Sequence, residues 1–264
     1  MKYNEIDIYA FLKDYVNKNI IFIPNPGNAG DQLITYSTIQ IFKELNINYT
    51  FGDIKQIYNN KTIFYGGGGN FIGIYKECSK FLINNMYNNN QIVLLPHTIK
   101  DEDDIIMSFR NNVKVICREL ISYKYVHKII KNKSNVYLSK DLAFHIKGVN
   151  VDTTSIGVGV CNVFRNDQEK TCFIIPKDNI DLSLVLYKIN DDNDIKVYEN
   201  VSMSIFKYLS NYEIINTNRL HIAIAGSLLN KKVNFYNNSY YKNQAVYEYS
   251  LKEFENTTFL TCRY

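Results

Sequence analysis

The sequence predicts an α/β protein of two doubly wound parallel-sheet domains that face one another across a cleft. Three observations predict it. Short apolar runs rich in β-branched and aromatic residues recur along the chain, each bounded by turn residues. Longer amphipathic segments separate them, the alternation of strand–helix–strand units. The rhythm breaks once, in KDLAFHIKGVNVDTTSIG (140–157), and then restarts. A boundary there gives domains 1–148 and 149–264.

In the first half, NIIFIP (19–24) reads as a buried strand. After a loop, DQLITYSTIQIFKELN (31–46) carries apolar residues at helical spacing. INYTF (47–51), KTIFY (61–65), QIVLLP (91–96) and VKVIC (113–117) read as further strands. Helical patterns lie around 71–87, 101–111 and 119–132. In the second half VGVCNVF (158–164), CFIIP (172–176), DIKVYEN (194–200), YEIINT (212–217) and KKVNFY (231–236) continue the alternation. VSMSIFKYLS (201–210), the segment after Asn218 and QAVYEYSLKEFE (244–255) supply helices. No repeat recurs at a fixed period.

Composition narrows the classes. Of 264 residues, 46% are hydrophobic and 21% charged, which marks a globular chain. The net charge of +4 is spread along the sequence with no arginine-rich arm, so nucleic acid is not an expected partner. Five cysteines at irregular spacing include no CxxC, and Cys117 and Cys172 sit in apolar runs. Buried structural thiols in a reducing compartment are expected. The N-terminal MKYNEIDIYAFLKDYV reads as neither secretory signal nor anchor, and no apolar run approaches the ~20 residues that span a bilayer. A cytoplasmic protein is expected. The four histidines show no HxxxH or HExxH spacing, so no metal site is expected.

Several strand ends carry candidate chemistry. NPGNAGDQLI (25–34) opens the first long helix. Gly27 and Gly30 permit a tight corner, and Asp31 there is either an ordinary N-cap or a functional carboxylate. YGGGGNF (65–71), with Gly67, Gly68 and Asn70, reads as a loop whose backbone passes close to a ligand or to another strand. It matches neither GxGxxG nor a P-loop. His97 in LLPHTIK and Arg118 in VICREL stand just beyond buried strands and would project into the crevice. Arg118 would hold a carboxylate or phosphate by two parallel bonds, or pair with Glu119; His97 would be a ligand contact or a structural histidine. Arg165 and Asp167 repeat this placement in VFRNDQEK, and Asp141 and Lys242 stand on further loops; each is a site residue or a solvated side chain. In TNRLHIAIAG, Thr217 or Asn218 is the expected N-cap. Arg219 and His221 then fall in the first turn, where macrodipole and free N–H groups favour an anion.

The ordered set GNAGDQLI, GGGGNF, LPHTIK, CRELISY, DLAF, FRNDQEK, NRLHIAIAG and NSYYKNQAVYEYSL resembles the polysaccharide pyruvyl transferase family, over roughly residues 20 to 255. The resemblance implies two Rossmann-like domains in a GT-B-like arrangement. It implies transfer of pyruvate from phosphoenolpyruvate to a sugar of a polysaccharide or its precursor, closing a cyclic ketal across two hydroxyls. His221 and Asp31 are the implied catalytic residues. Arg118, Arg219, Leu220, Gly67, Gly68, Asn70, His97, Arg165 and Lys242 are the implied substrate contacts. Phosphoenolpyruvate is a substrate, and no cofactor is implied. His97 departs from the pattern, which more usually has Gln there. Two other readings stay open: a GT-B-type glycosyltransferase using a sugar nucleotide, and a non-catalytic carbohydrate- or anion-binding domain.

Overall fold

The computed structural model describes residues 3–149, 157–170 and 174–261. The chain divides into two compact units, one of Met1–Pro26 with Ser37–Leu142 and one of Gly27–Tyr36 with Ala143–Tyr264. Ten residues from the first half of the sequence thus group with the second unit. They include the GD corner.

The first unit contains α1 (Ile8–Lys13), β1 (Ile20–Ile23), the second half of α2 (Ala29–Glu44), β2 (Tyr49–Phe51), β3 (Thr62–Tyr65) and β4 (Gly68–Ile72). It continues with α3 (Glu77–Asn85), β5 (Gln91–Lys100), α4 (Asp103–Ser108), β6 (Val113–Cys117), α5 (Leu120–Ile129) and β7 (Val136–Leu138). The strands pair in the order β2-β1-β3-β5-β6-β7, with β4 beside β5, and every pair is parallel. The order reverses at β1, the topological switch point of a doubly wound sheet. Phe22 of β1, Phe42 of α2 and Phe64 of β3 meet edge-on or tilted, with centroids 5.3 and 5.9 Å apart. All three are fully buried. Each stabilises the fold by roughly 1.5–3 kcal/mol of side-chain burial.

Two expectations change here. The strand predicted to stop at Pro96 runs on to Lys100. Its register against β6 breaks between Leu94 and His97, where Pro96 has no N–H to give to a ladder. The predicted glycine loop is largely a strand: β4 pairs with the second half of β5 after β3 has paired with the first. The glycines serve the jog between them. Gly66 donates to the Ile23 carbonyl at 2.8 Å. A Cβ there would lie 2.7 Å from the backbone nitrogen of Asn25, and Gly68 has φ +146°.

The second unit contains β8 (Val160–Val163), α6 (Leu182–Val185), α7 (Ile195–Ser210), β9 (Ile214–Thr217), α8 (Leu220–Leu228), β10 (Lys232–Tyr236), α9 (Lys242–Tyr249) and β11 (Thr257–Leu260). Its parallel sheet runs β11-β10-β9-β8. Each strand follows its sequence neighbour in one direction, so right-handed crossovers put α7, α8 and α9 on one face. Burial alternates accordingly. Cys161, Val163, Ile215, Thr217, Val233 and Phe235 are buried, whereas Val160, Asn162, Ile214, Asn216, Lys232 and Asn234 are not. Among the described residues the strand order of this unit does not reverse, and the predicted strand CFIIP lies partly outside them. On the less covered face Asn234 donates to Asn216 at 2.8 Å and Asn216 to Asn162 at 2.9 Å, an amide ladder in register across three strands.

DIKVYEN is not a separate segment but the start of α7. Asp194 accepts from the Lys196 amide and caps a single 16-residue helix. CFIIP lies partly outside the described residues, and its described part, 174–176, belongs to no strand. Cys78, Cys117 and Cys161 are buried free thiols; Cys172 and Cys262 lie outside the described residues. Among the described residues no helix is long and apolar enough to cross a membrane.

Candidate functional site

In the second unit the GD corner and the RLH helix meet. Asp31 sits in the first turn of α2, and its Oδ2 accepts from the Asn28 amide at 3.0 Å. The Asn28 side chain in turn accepts from the Gly30 amide at 2.8 Å. Gly27 has no room for a side chain, since a Cβ would fall 2.0 Å from Asp31 Oδ2. At Gly30 a Cβ would fall 2.3 Å from Nδ1 of His221. The two glycines therefore let the corner close on Asp31 and let the imidazole lie against the backbone. Gly30, the residue before Asp31, thus lies against the ring of His221, the other implied catalytic residue.

The RLH helix starts one residue later than predicted. Arg219 is the N-cap of α8, with no side-chain cap bond, and its amide donates to Thr217 Oγ1 at 2.9 Å. The Thr217 hydroxyl donates to the Val163 carbonyl at 2.6 Å, tying the corner to β8. Leu220 is buried. Ala223, Ala225 and Gly226 keep α8 slim: a Cβ at Gly226 would lie 2.8 Å from Ile215 and 2.9 Å from Val233. The helix thus packs closely on β9 and β10.

Arg219 belongs to a six-charge network. Its guanidinium grips Asp181 with both Nε, at 2.9 Å, and Nη2. Nη2 also lies 3.2 Å from Asp167. Arg165 forks onto Asp167 at 2.7 and 2.8 Å and reaches Glu169 through Nη1 at 2.8 Å. Glu169 also takes Lys242 and, at 3.0 Å, the Asn238 amide. Arg165, Glu169, Arg219 and Lys242 are all buried. Such burial is tolerable only because every charge is paired. Burial by itself raises the Asp167 carboxyl, but Arg165 and Arg219 outweigh it and hold Asp167 at about 2. Glu169 is lowered likewise, Lys242 and Arg165 overcoming its burial. The solvated-loop reading of Arg165, Asp167 and Lys242 is thereby corrected. Asp181 and Glu169 are members that sequence reasoning missed. Glu169 lies within FRNDQEK without being singled out there, and Asp181 lies in none of the motifs.

In the first unit, Arg118 and His97 do not project from the sheet edge. Arg118 is buried, its Nε donating to Thr98 at 2.8 Å and its Nη1 to Asp141 at 2.7 Å. Its neighbour Glu119 is not the partner but the N-cap of α5, accepting from the Ile121 and Ser122 amides. Asp141, read as a loop residue, is buried beneath Arg118. His97 lies within β5 and is fully buried. Its Nδ1 is 2.8 Å from the Leu95 carbonyl and its Nε2 meets the Asn70 carboxamide at 3.2 Å; that amide also bonds the Tyr65 hydroxyl. Burial pushes the His97 ring down to about 4, so it is neutral at pH 7. Gly67 is buried and its carbonyl accepts from Asn25 at 2.9 Å. Asn70, His97, Thr98, Arg118 and Asp141 are thus one internal polar network.

Among the described residues no group of three or more His, Cys, Asp or Glu is arranged to hold a metal. The family model described as polysaccharide pyruvyl transferase matches residues 28–240. Among solved structures, the chain is similar to a functionally uncharacterised protein from Klebsiella pneumoniae subsp. pneumoniae NTUH-K2044. The two are 32% identical with a TM-score of 0.84, over 99% of this chain and 100% of that one. No protein of curated function matches.

Proposed function

The chain belongs to the polysaccharide pyruvyl transferase family, and from that premise we propose that it transfers pyruvate from phosphoenolpyruvate to a sugar, forming a cyclic ketal. The observation that carries the proposal is the closure of the GD corner on the RLH helix, with Gly30 against His221. It gathers a carboxylate, an imidazole and the Arg219 helix start into one unit. His221 protonates the methylene carbon of the donor, which becomes a methyl group. The adjacent carbon, now oxocarbenium-like, is attacked by one sugar hydroxyl, which loses its proton. A second hydroxyl displaces phosphate at the same carbon and closes the ring. Asp31 orients the acceptor or takes a hydroxyl proton. Arg219 at the N-terminus of α8 binds a donor anion, where its guanidinium and the helix dipole act together. Leu220, Arg165 and Lys242 shape and support that seat. Arg118, Gly67, Gly68, Asn70 and His97 remain proposed contacts from the family pattern, acting through the internal network of their own unit. A cytoplasmic location and a glycan acceptor fit the same reading.

The test is incubation with phosphoenolpyruvate and a panel of hexose and N-acetylhexosamine acceptors, following phosphate release and the mass of the sugar. Release coupled to a pyruvyl mass gain is expected. Turnover with sugar nucleotides and none with phosphoenolpyruvate would replace this reading by glycosyl transfer. His221→Ala should lower kcat by about 10²–10⁴-fold while donor affinity stays near wild type, because a proton donor acts mainly in the transition state. Lost affinity with an unchanged single-turnover rate would make His221 a binding group.

A further inference from the structure

Asp181 makes an unusual choice of partner. It is the N-cap residue of α6, yet its side chain accepts no hydrogen bond from its own helix. Aspartate at that position ordinarily caps its helix. Here both carboxylate oxygens lie on the fork of Arg219 instead. That fork is the geometry in which a guanidinium takes a carboxylate or a phosphate. The chain's own carboxylate therefore fills the place that an anionic substrate would need. Seven residues on, the same segment is fastened again: Gln32, beside Asp31, donates to the Lys188 carbonyl at 2.6 Å and accepts from its amide at 3.4 Å. Between the fastenings Leu182 and Ser183 are buried but Leu184, Val185 and Tyr187 are exposed, so apolar contact holds the segment mainly through Leu182.

We propose that Asp181 is a surrogate anion that occupies Arg219 while the donor site is empty, and that the donor displaces it, releasing the strap 181–188. The inference rests on the proposed function and deepens it. The exchange swaps one paired anion for another, so buried Arg219 is never left bare. Leaving it bare would cost the penalty of an unpaired interior charge. The displaced carboxylate, already 16% exposed on Arg219, passes to solvent, which gives the segment two discrete arrangements, pinned and released. Asp167 stays on Arg165 throughout and keeps the network rigid around the exchange. Asp181 is thus a specificity residue: a ligand must outbid a carboxylate to be held, which favours multiply charged donors over singly charged acids such as pyruvate.

Two measurements test this. Calorimetry with phosphoenolpyruvate should show Asp181→Asn binding about tenfold more tightly than wild type, because the occupied fraction of Arg219 no longer taxes affinity. Asp181→Glu, which restores the carboxylate, should bind near the wild-type value. Equal or weaker binding by the Asn variant would make Asp181 a structural clamp and overturn the inference. The chain has no tryptophan, so Tyr187→Trp provides a single reporter on the strap with Asp181 intact. Its emission should change with phosphoenolpyruvate in proportion to the calorimetric saturation. Calorimetric binding with unchanged emission would sink the strap and leave the proposed function standing. No binding of phosphoenolpyruvate to any form would sink both.

Discussion

Gly30 and His221 are in such close approach that a methyl group on the Gly30 α-carbon would lie 2.3 Å from Nδ1 and 2.9 Å from Cγ of the ring. No real Cβ contact is that short, so Gly30→Ala must push the imidazole aside. Gly30 is buried, but Pro26 and Gly27 of the corner are exposed and His221 is half-buried, so the ring rather than the core takes up the displacement. The expected result is a fall in kcat of about 10- to 100-fold, since misplacement by an ångström is enough for that loss, with a melting temperature near wild type. Full activity in the alanine variant would show that His221 needs no fixed position.

A second prediction concerns Arg118 and Asp141, whose side chains are 2% and 1% exposed. A buried pair in this state is destabilising to break and inexpensive to remove whole. Asp141→Ala should cost about 3–5 kcal/mol by leaving the guanidinium uncompensated. Arg118→Lys should also destabilise, because one ammonium cannot serve both Thr98 and Asp141 with the planar fork's geometry. The double variant Arg118→Met with Asp141→Leu should be less destabilised than the sum of the single changes in urea unfolding. Additive losses would mean that the pair is not coupled.

The strands of both sheets were mostly legible because burial imposes apolar runs on them, and 20–23, 62–65, 113–117 and 214–217 lie where the pattern puts them. The short β7, β11 and β4 were not. β4 begins in glycines that carry no periodicity, and the other two are too brief to show one. The N-terminal part of α7 was misread because Ile195 and Val197 read equally well in a strand, and only the Asp194 cap decides. Within the site, the sequence marks the residues at strand ends, Asp31, Arg165 and Arg219. It does not reveal their partners. Asp141 and Asp181 find their cations only through tertiary contact, Glu169 meets Arg165 locally but Lys242 only through the fold, and a split of the chain at residue 148 gives no sign that residues 27–36 group with the second unit.

Acid should test the six-charge network. Asp167 sits at about 2 in the folded protein, against an ordinary 3.8. A carboxyl lowered by folding contributes stability that is complete above its unfolded value and is lost as the pH falls towards its folded one. The loss attached to Asp167 therefore belongs between about pH 4 and pH 2. In urea midpoints measured down that range, Asp167→Asn should start less stable at pH 7 and converge on wild type near pH 2. A constant gap at every pH would show that the carboxylate's charge is irrelevant to the fold.

His97 gives the opposite arrangement, a base held neutral, and a pH window of its own. Burial lowers the ring from 6.5 to about 4; the Leu95 carbonyl offsets part of that, Arg118 adds to it and Asp141 opposes it. As the pH falls below 6.5, the unfolded chain takes up a proton that the folded ring refuses. Stability must then fall, because the unfolded state binds more protons. Near pH 4 the folded ring protonates as well and the loss levels off. The full difference amounts to about 3 kcal/mol at one pK unit per 1.4 kcal/mol. Glutamine, the residue the family pattern more usually carries here, can keep the bonds to Asn70 and the Leu95 carbonyl without titrating. His97→Gln should therefore flatten the stability profile between pH 6.5 and 4 relative to wild type, with little change at pH 8. Because His127 and the carboxylates titrate in both proteins, the difference between the two profiles isolates His97. A variant whose profile runs parallel to wild type throughout that window would mean that the buried ring already carries its proton in the folded protein.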